Sequence, residues 1–143
     1  MPEVPKRIHL LGSGRHEEHI AGGTIRPGDL LLLNSDGEVV AHSSAGGYAE
    51  RNFALEDALQ GKDIDQSYAA DDVVSIVNGA PGDVIYAYLS WGEDVETGEL
   101  LTSNGDGALK VATGSDKPIA VALESLDLSD SESADERLKV RLL

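Results

Sequence analysis

Apolar residues in this chain come in short runs, and nearly every run ends at a turn built from glycine, aspartate or proline. The stretch "RPGDLLLLNSDGEVVAH" sets the pattern: a Pro-Gly-Asp turn, an apolar run at residues 30–33, an Asp-Gly turn, and a second run at 38–42. Asp-Gly between two apolar runs is a strong hairpin signal, because glycine accepts the positive φ that tight turns require. Further strands are expected at 73–77, 84–90, 99–103, 108–112 and 119–128, separated by "NGAPGD", "WGEDVETG", "NGDG" and "TGSDKP". In residues 137–143 the alternation has a period of two, Leu138, Val140 and Leu142 against Arg137, Lys139 and Arg141, which predicts a strand with one buried face. One short helix is predicted over residues 52–60, where Phe53, Leu55, Ala58 and Leu59 cluster loosely on one face and Gly61 stands at the C-cap position. These elements together predict a mainly β protein, a small antiparallel β-barrel or sandwich carrying one short helix.

Two segments fall outside the pattern. Residues 2–20 hold two prolines and little periodicity, with Lys6, Arg7 and Arg15 and no acidic residue between Pro5 and His16. The expected division is an extended N-terminal arm at 1–20 and a β-domain at 21–143. Residues 129–136, "SDSESADE", read as an acidic, solvent-facing loop.

The chain has 143 residues, one domain's worth, and aromatics make up only 4% of it, so leucine, valine, isoleucine and alanine must build the core. A formal charge of -15 repels nucleic acid and anionic membranes while favouring solubility. The absence of cysteine removes disulfides, thiol nucleophiles and thiolate metal ligands from consideration. No apolar run approaches the roughly 18 residues of a membrane span, and the N-terminus lacks the apolar core of a signal peptide. Synthesis in the cytoplasm is the expectation.

Candidate chemistry is sparse. "HEEH" at residues 16–19 sets its histidines three apart, whereas a metalloprotease helix places them four apart on one face. Any third ligand would come from Glu17, Glu18, His9 or His42. "TSNGDG" resembles part of a calcium loop through Asn104, Asp106 and Gly107. It has Thr102 where the first aspartate belongs and Thr113 where the bidentate glutamate belongs. "GSG" at 12–14 neither follows a strong strand nor opens a helix, as a dinucleotide loop would, and Ser90 lacks the first glycine of a nucleophile elbow. No catalytic residues, no metal site and no cofactor are expected.

Two family resemblances bear on function. "GKDIDQSYAADD" at residues 61–72 resembles a motif of the trimeric, all-β dUTPases, which would give Asp65 the water-activating role and Tyr68 the packing against deoxyribose. The cationic phosphate motif and the glycine-rich C-terminal arm of that family are missing. Across residues 21–143 the order of motifs resembles the capsid cement, or head decoration, proteins of tailed phages. It runs from "AGGTIRPGDLLLLNSDGEVVAHSSAG" through "FALEDALQGKDID", "GAPGDVIYAYLSWGEDVETGELLTSNGDGALKVA" and "PIAVALESLD". That resemblance implies a β-tulip fold and a homotrimer bound to major capsid protein on the outer surface of an icosahedral head, with no enzymatic activity. An N-terminal arm in such proteins reaches the shell or a neighbouring subunit, which makes Lys6, Arg7, Ile8, His9, Leu10, Leu11 and Arg15 the candidate binding residues.

Overall fold

The computed structural model describes residues 4–130, 132 and 134–143. Along the chain the strands are β1 (His9–Leu11), β2 (Arg15–Ala21), β3 (Leu31–Leu33), β4 (Glu38–Ala41), β5 (Asn52–Ala54), β6 (Val73–Asn78) and β7 (Val84–Leu89). They continue with β8 (Asp94–Val95), β9 (Leu100–Ser103), β10 (Leu109–Val111), β11 (Ala120–Ala122), β12 (Leu126–Asp127) and β13 (Glu136–Leu142). The protein is mainly β, as the pattern predicts, and β7, β10, β9, β11 and β13 close into a five-stranded barrel. All its pairings are antiparallel except β7 with β10, which run parallel.

Strand β7 organises the barrel. One edge pairs with β13 from Glu136↔Leu89 to Arg141↔Val84. The other edge is shared among three distant pieces of chain. Tyr86 N–H donates to the Ile8 carbonyl at 2.8 Å, Tyr88 N–H to the Gly28 carbonyl at 3.3 Å, and Ser90 N–H to the Leu109 carbonyl at 2.8 Å. Ile85, Ala87 and Leu89 point inward to meet Leu101, Leu109, Leu138 and Val140, all fully buried. Small and branched side chains alternate here as a narrow barrel requires.

A second sheet, ordered β3-β4-β2-β6-β5, packs beside the barrel and curls so that its edges meet through a bridge between Leu30 and Phe53. Strands β2 and β4 are parallel, a departure from the all-antiparallel expectation. Within the curl, Ala21, Ile25, Leu31, Val39, Ala54, Tyr68, Val74 and Ile76 form a small core of their own. Phe53, Leu55 and Val77 face the other way and join the barrel core.

Burial on both faces corrects the helix predicted over residues 52–60. Asn52–Ala54 is strand β5, paired to β6 with Phe53 opposite Val77, and the helical part shrinks to a single 3-10 turn, Ala58–Gln60. A strand buried on both faces carries consecutive apolar residues, which imitate a helical stripe in sequence. Gly61 does take the left-handed conformation expected of a cap. The hairpins at 30–42 and 99–112 form as predicted, with Leu31 opposite Ala41 and Leu109 opposite Ser103. Of the leucine run, Leu30 and Leu31 are buried while Leu32 and Leu33 lie partly exposed on the edge strand. Leu138, Val140 and Leu142 are buried, as their alternation requires.

The two Pro-Gly-Asp turns share one construction. In residues 26–29 the Asp29 N–H donates to the Arg26 carbonyl at 3.0 Å, and the Arg26 N–H donates back to the Asp29 carboxylate at 2.8 Å. Residues 80–83 repeat both bonds, at 3.0 and 3.2 Å. Proline fixes the second position of each turn and glycine the third, where φ is +102° at Gly28 and +96° at Gly82, the type II geometry. The Asp29 carboxylate also accepts from Arg26 Nε and Nη2, and burial pushes its carboxyl above the ordinary value against the pull of that guanidinium. Arg26 and Arg137 both stack on the Tyr88 ring, with guanidinium carbons 3.9 and 4.5 Å from its centroid. Arg137 in turn donates to the carbonyls of Pro27 and Ile64 and to the Asp65 carboxylate, fastening the first turn to the barrel wall.

Tyr68 gives the small core a measurable signature. Its hydroxyl donates to the Leu55 carbonyl at 2.7 Å, and burial pushes the phenol from 10.0 up to about 12. The folded state thus holds this proton to higher pH than the unfolded chain, so stability present below pH 10 is lost as pH rises towards 12. The loss should amount to about 2–3 kcal/mol. Urea titrations at intervals between pH 9 and 12 should show this decline in the parent and a flatter one in Tyr68→Phe, which starts about 1 kcal/mol lower at neutral pH.

Candidate functional site

The N-terminal segment, expected to be an arm separate from the domain, is largely built into it. Ile8 is fully buried in the barrel core. Strand β1 pairs with β7 through His9↔Ile85 and Leu11↔Val84, and β2 pairs with β6 from Arg15↔Asn78 to Ile20↔Val73. Among the described residues only 4–8 precede the first strand, so the boundary expected at 20/21 does not separate arm from domain. The reason is that β7 has an open edge between its β10 pairing and its N-terminal end, and Ile8 to Leu11 complete it.

Asp83 holds this segment in place. Its side chain, 3% exposed, accepts from the N–H groups of Ser13 at 3.1 Å and Gly14 at 2.9 Å, and contacts His9 Nε2 at 3.1 Å. The Ala80 N–H of its own turn also donates to it. The "GSG" sequence has its explanation here: a Cβ on Gly12 or Gly14 would fall inside contact distance of the Asp83 carboxylate. Sequence inspection marks residues 12–14 as a failed nucleotide loop and 80–83 as turn punctuation. Their meeting across some seventy residues leaves no trace in either.

His9 passes the chain outward, its Nδ1 lying 2.9 Å from His16 Nε2. Because "HEEH" lies on strand β2, side chains three apart point to opposite faces. His16 therefore meets His9 while His19 meets Glu17 at 3.1 Å. His42 is buried elsewhere, between Ser103 Oγ at 2.7 Å and the Tyr48 carbonyl at 2.8 Å. No cluster able to hold a metal ion occurs among the described residues. In the calcium-like stretch, Thr102 is buried and donates to the Lys117 carbonyl, and residues 103–109 form the β9–β10 hairpin. Asp65 is ion-paired with Arg137 at 3.1 Å, and the Tyr68 ring lies inside the small core, so the two dUTPase-like residues do not share an open site.

Two hollows flank the N-terminal segment and divide the predicted residues between them. Lys6, Leu10 and Leu11 line a groove of about 530 Å³ together with Val4, Pro5, Val84 and Lys139. Arg7 and His9 line a second hollow of about 470 Å³ with His16, Glu17, Glu18, Leu55 and Leu59 among others. Arg15 is exposed at the start of β2. In the first groove, apolar side chains stand open to solvent, Val4 at 70% and Leu11 at 67% exposed. The cations beside it are equally unmatched: among the described residues the arginine ion pairs involve only Arg26 and Arg137, and Lys6, Lys139 and Arg141, the last opposite Val84, have none. Lys139 and Arg141 lie outward on β13 beside Tyr86 and Val84. Their outward direction is legible in the alternation of residues 137–143, but their meeting with residues 4–11 is not.

The position of Asp83 sets a test. Asp83→Ala removes a buried carboxylate that serves three partly buried backbone N–H groups and should cost about 3 kcal/mol in urea denaturation, with Asp83→Asn falling in between. Asp72 makes the same turn bond, to Ala69 N–H at 2.8 Å, but on the exposed surface. Asp72→Ala should cost no more than about 1 kcal/mol.

No family model matches this chain, and no curated protein matches it.

Proposed function

We propose that this protein is a non-enzymatic structural component of a phage virion, binding major capsid protein on the outer surface of an icosahedral head as a homotrimer and stabilising the shell. The motif order across residues 21–143 suggests that family, and the small β-barrel suits it. The observation that carries the reading is the groove at Val4, Leu10, Leu11 and Val84, bordered by Lys6 and Lys139. A protein of charge -15 that gathers cations without an ion pair among the described residues around exposed apolar side chains presents a surface suited to an acidic, partly apolar protein partner within the decorated head, whether shell or neighbouring subunit. The same charge keeps the protein off packaged nucleic acid.

The burial of Ile8 decides how this is tested. Deleting residues 2–15 removes a core side chain and a barrel pairing, so it would report folding rather than binding. Substitutions at exposed positions avoid the problem. Heads assembled from a tailed-phage major capsid protein encoded beside this chain should co-sediment with it saturably. Leu11→Asp and Lys6→Glu should weaken that binding tenfold or more with unchanged thermal unfolding. Absence of co-sedimentation by the parent protein would overturn the reading.

A further inference from the structure

Strand β7 connects two chemically opposite ends of the molecule. At its start lies the groove just described, with Leu11 beside Val84 and around it Lys6, Lys139 and Arg141, which make no ion pair among the described residues. At its end the chain runs through Ser90 to Trp91, the only tryptophan, 52% exposed. Six strand residues separate the ends by about 20 Å at roughly 3.3 Å per residue.

The Trp91 end is acidic. The indole Nε1–H donates to the Asp130 carbonyl at 3.0 Å and the Trp91 N–H to the Asp135 carboxylate at 2.8 Å, so the ring is tethered at its nitrogen while half its surface faces solvent. Next to it Gly92 N–H donates to the Leu128 carbonyl, which brings the β8–β12 ribbon alongside. That ribbon sets Asp94 directly opposite Asp127, two exposed like charges that repel across the pair. The Ser129 hydroxyl and N–H donate to the Asp127 carboxylate and keep its carboxyl below the ordinary value. An incoming cation would relieve the repulsion.

We infer that Trp91 and the acidic surface beside it dock into the Lys6–Leu11–Lys139 groove of a second copy of this chain, head to tail. Each end lacks what the other supplies: exposed apolar surface with cations that make no ion pair among the described residues at one, an exposed indole beside the facing carboxylates of Asp94 and Asp127 at the other, Asp135 being already paired with Arg26. The span of β7 keeps a single chain from satisfying itself. A contact between unlike patches generates a ring when the rotation closes. The inference rests on the proposed reading for the number of copies, three, and it commits the groove to a neighbouring subunit rather than to the shell.

Trp91 is its own reporter. Sedimentation velocity of the intact protein from about 1 to 100 µM should show assembly, accompanied by a blue shift of tryptophan emission and weakened by 1 M salt. Lys6→Glu/Lys139→Glu and, separately, Asp94→Lys/Asp130→Lys should each weaken assembly at least tenfold while unfolding with the parent's midpoint. Leu11→Asp gives a second, apolar probe of the groove. All four charge reversals in one chain should restore assembly. A protein that stays monomeric throughout, assembly without change in emission, or charge-reversed variants that assemble like the parent would overturn the inference. No capsid is present in these measurements, so the two readings fail separately. A monomer that co-sediments with heads sinks the head-to-tail contact alone, and an assembled ring that ignores heads sinks the capsid reading alone.

Discussion

The interaction on which the structure depends is a carboxylate at the fourth position of a turn, folded back onto the N–H of the first. Asp29 and Asp83 make it in the core, and Asp72, Glu99 and Asp116 make it nearer the surface, with bonds of 2.8–3.2 Å. A loop-rich chain with little aromatic area has many backbone donors outside strands, and each needs a partner when buried. A carboxylate offers about four acceptor sites and is the most economical way to supply them. Much of the -15 charge can be read in this light, as a distributed set of backbone acceptors.

Asp29 and Asp83 do more than close their own turns. Asp29 engages Arg26, which stacks on Tyr88 opposite Arg137, so the first turn lies against the barrel wall. Asp83 gathers Ala80, Ser13, Gly14 and His9 and so fixes the N-terminal strand to the end of β7. In both cases a buried charge is surrounded by donors, the condition under which burial of an ion is tolerated. The surface groove exists because the second of these clusters holds residues 8–14 against the barrel.

Local signals in the sequence were reliable where local chemistry decides the outcome. Asp-Gly turns gave hairpins, and the period-two run at 137–143 gave a strand with Leu138, Val140 and Leu142 inside. Errors arose where two layers bury the same segment. Asn52–Ala54 is buried on both faces and resembles a helical stripe, and residues 9–19 look irregular because their pairing partners on β7 and β6 lie more than fifty residues away. Of the groove's lining, Lys6, Leu10 and Leu11 stand out in the sequence as an isolated basic and apolar cluster. Val84 and Lys139 could not, since only the β1–β7–β13 arrangement brings them there. The acidic loop was legible by composition; Ser131 and Ser133 within it lie outside the described residues, while Asp130 and Asp135 hold Trp91.

The patched edge of β7 has a consequence for how the chain reaches this state. A barrel closed only by its own strands could form before the rest of the molecule. Here the wall is finished by the carbonyls of Ile8 and Gly28, contributed from outside the barrel strands. Neither lobe is complete without the other, so the molecule should unfold in one cooperative step rather than lobe by lobe. Those closing contacts span much of the chain and are costly in loop entropy, which makes folding slow relative to helical proteins of this size. Ile8 and Gly28 can be fixed only once the distant strand that receives them, β7, is in place.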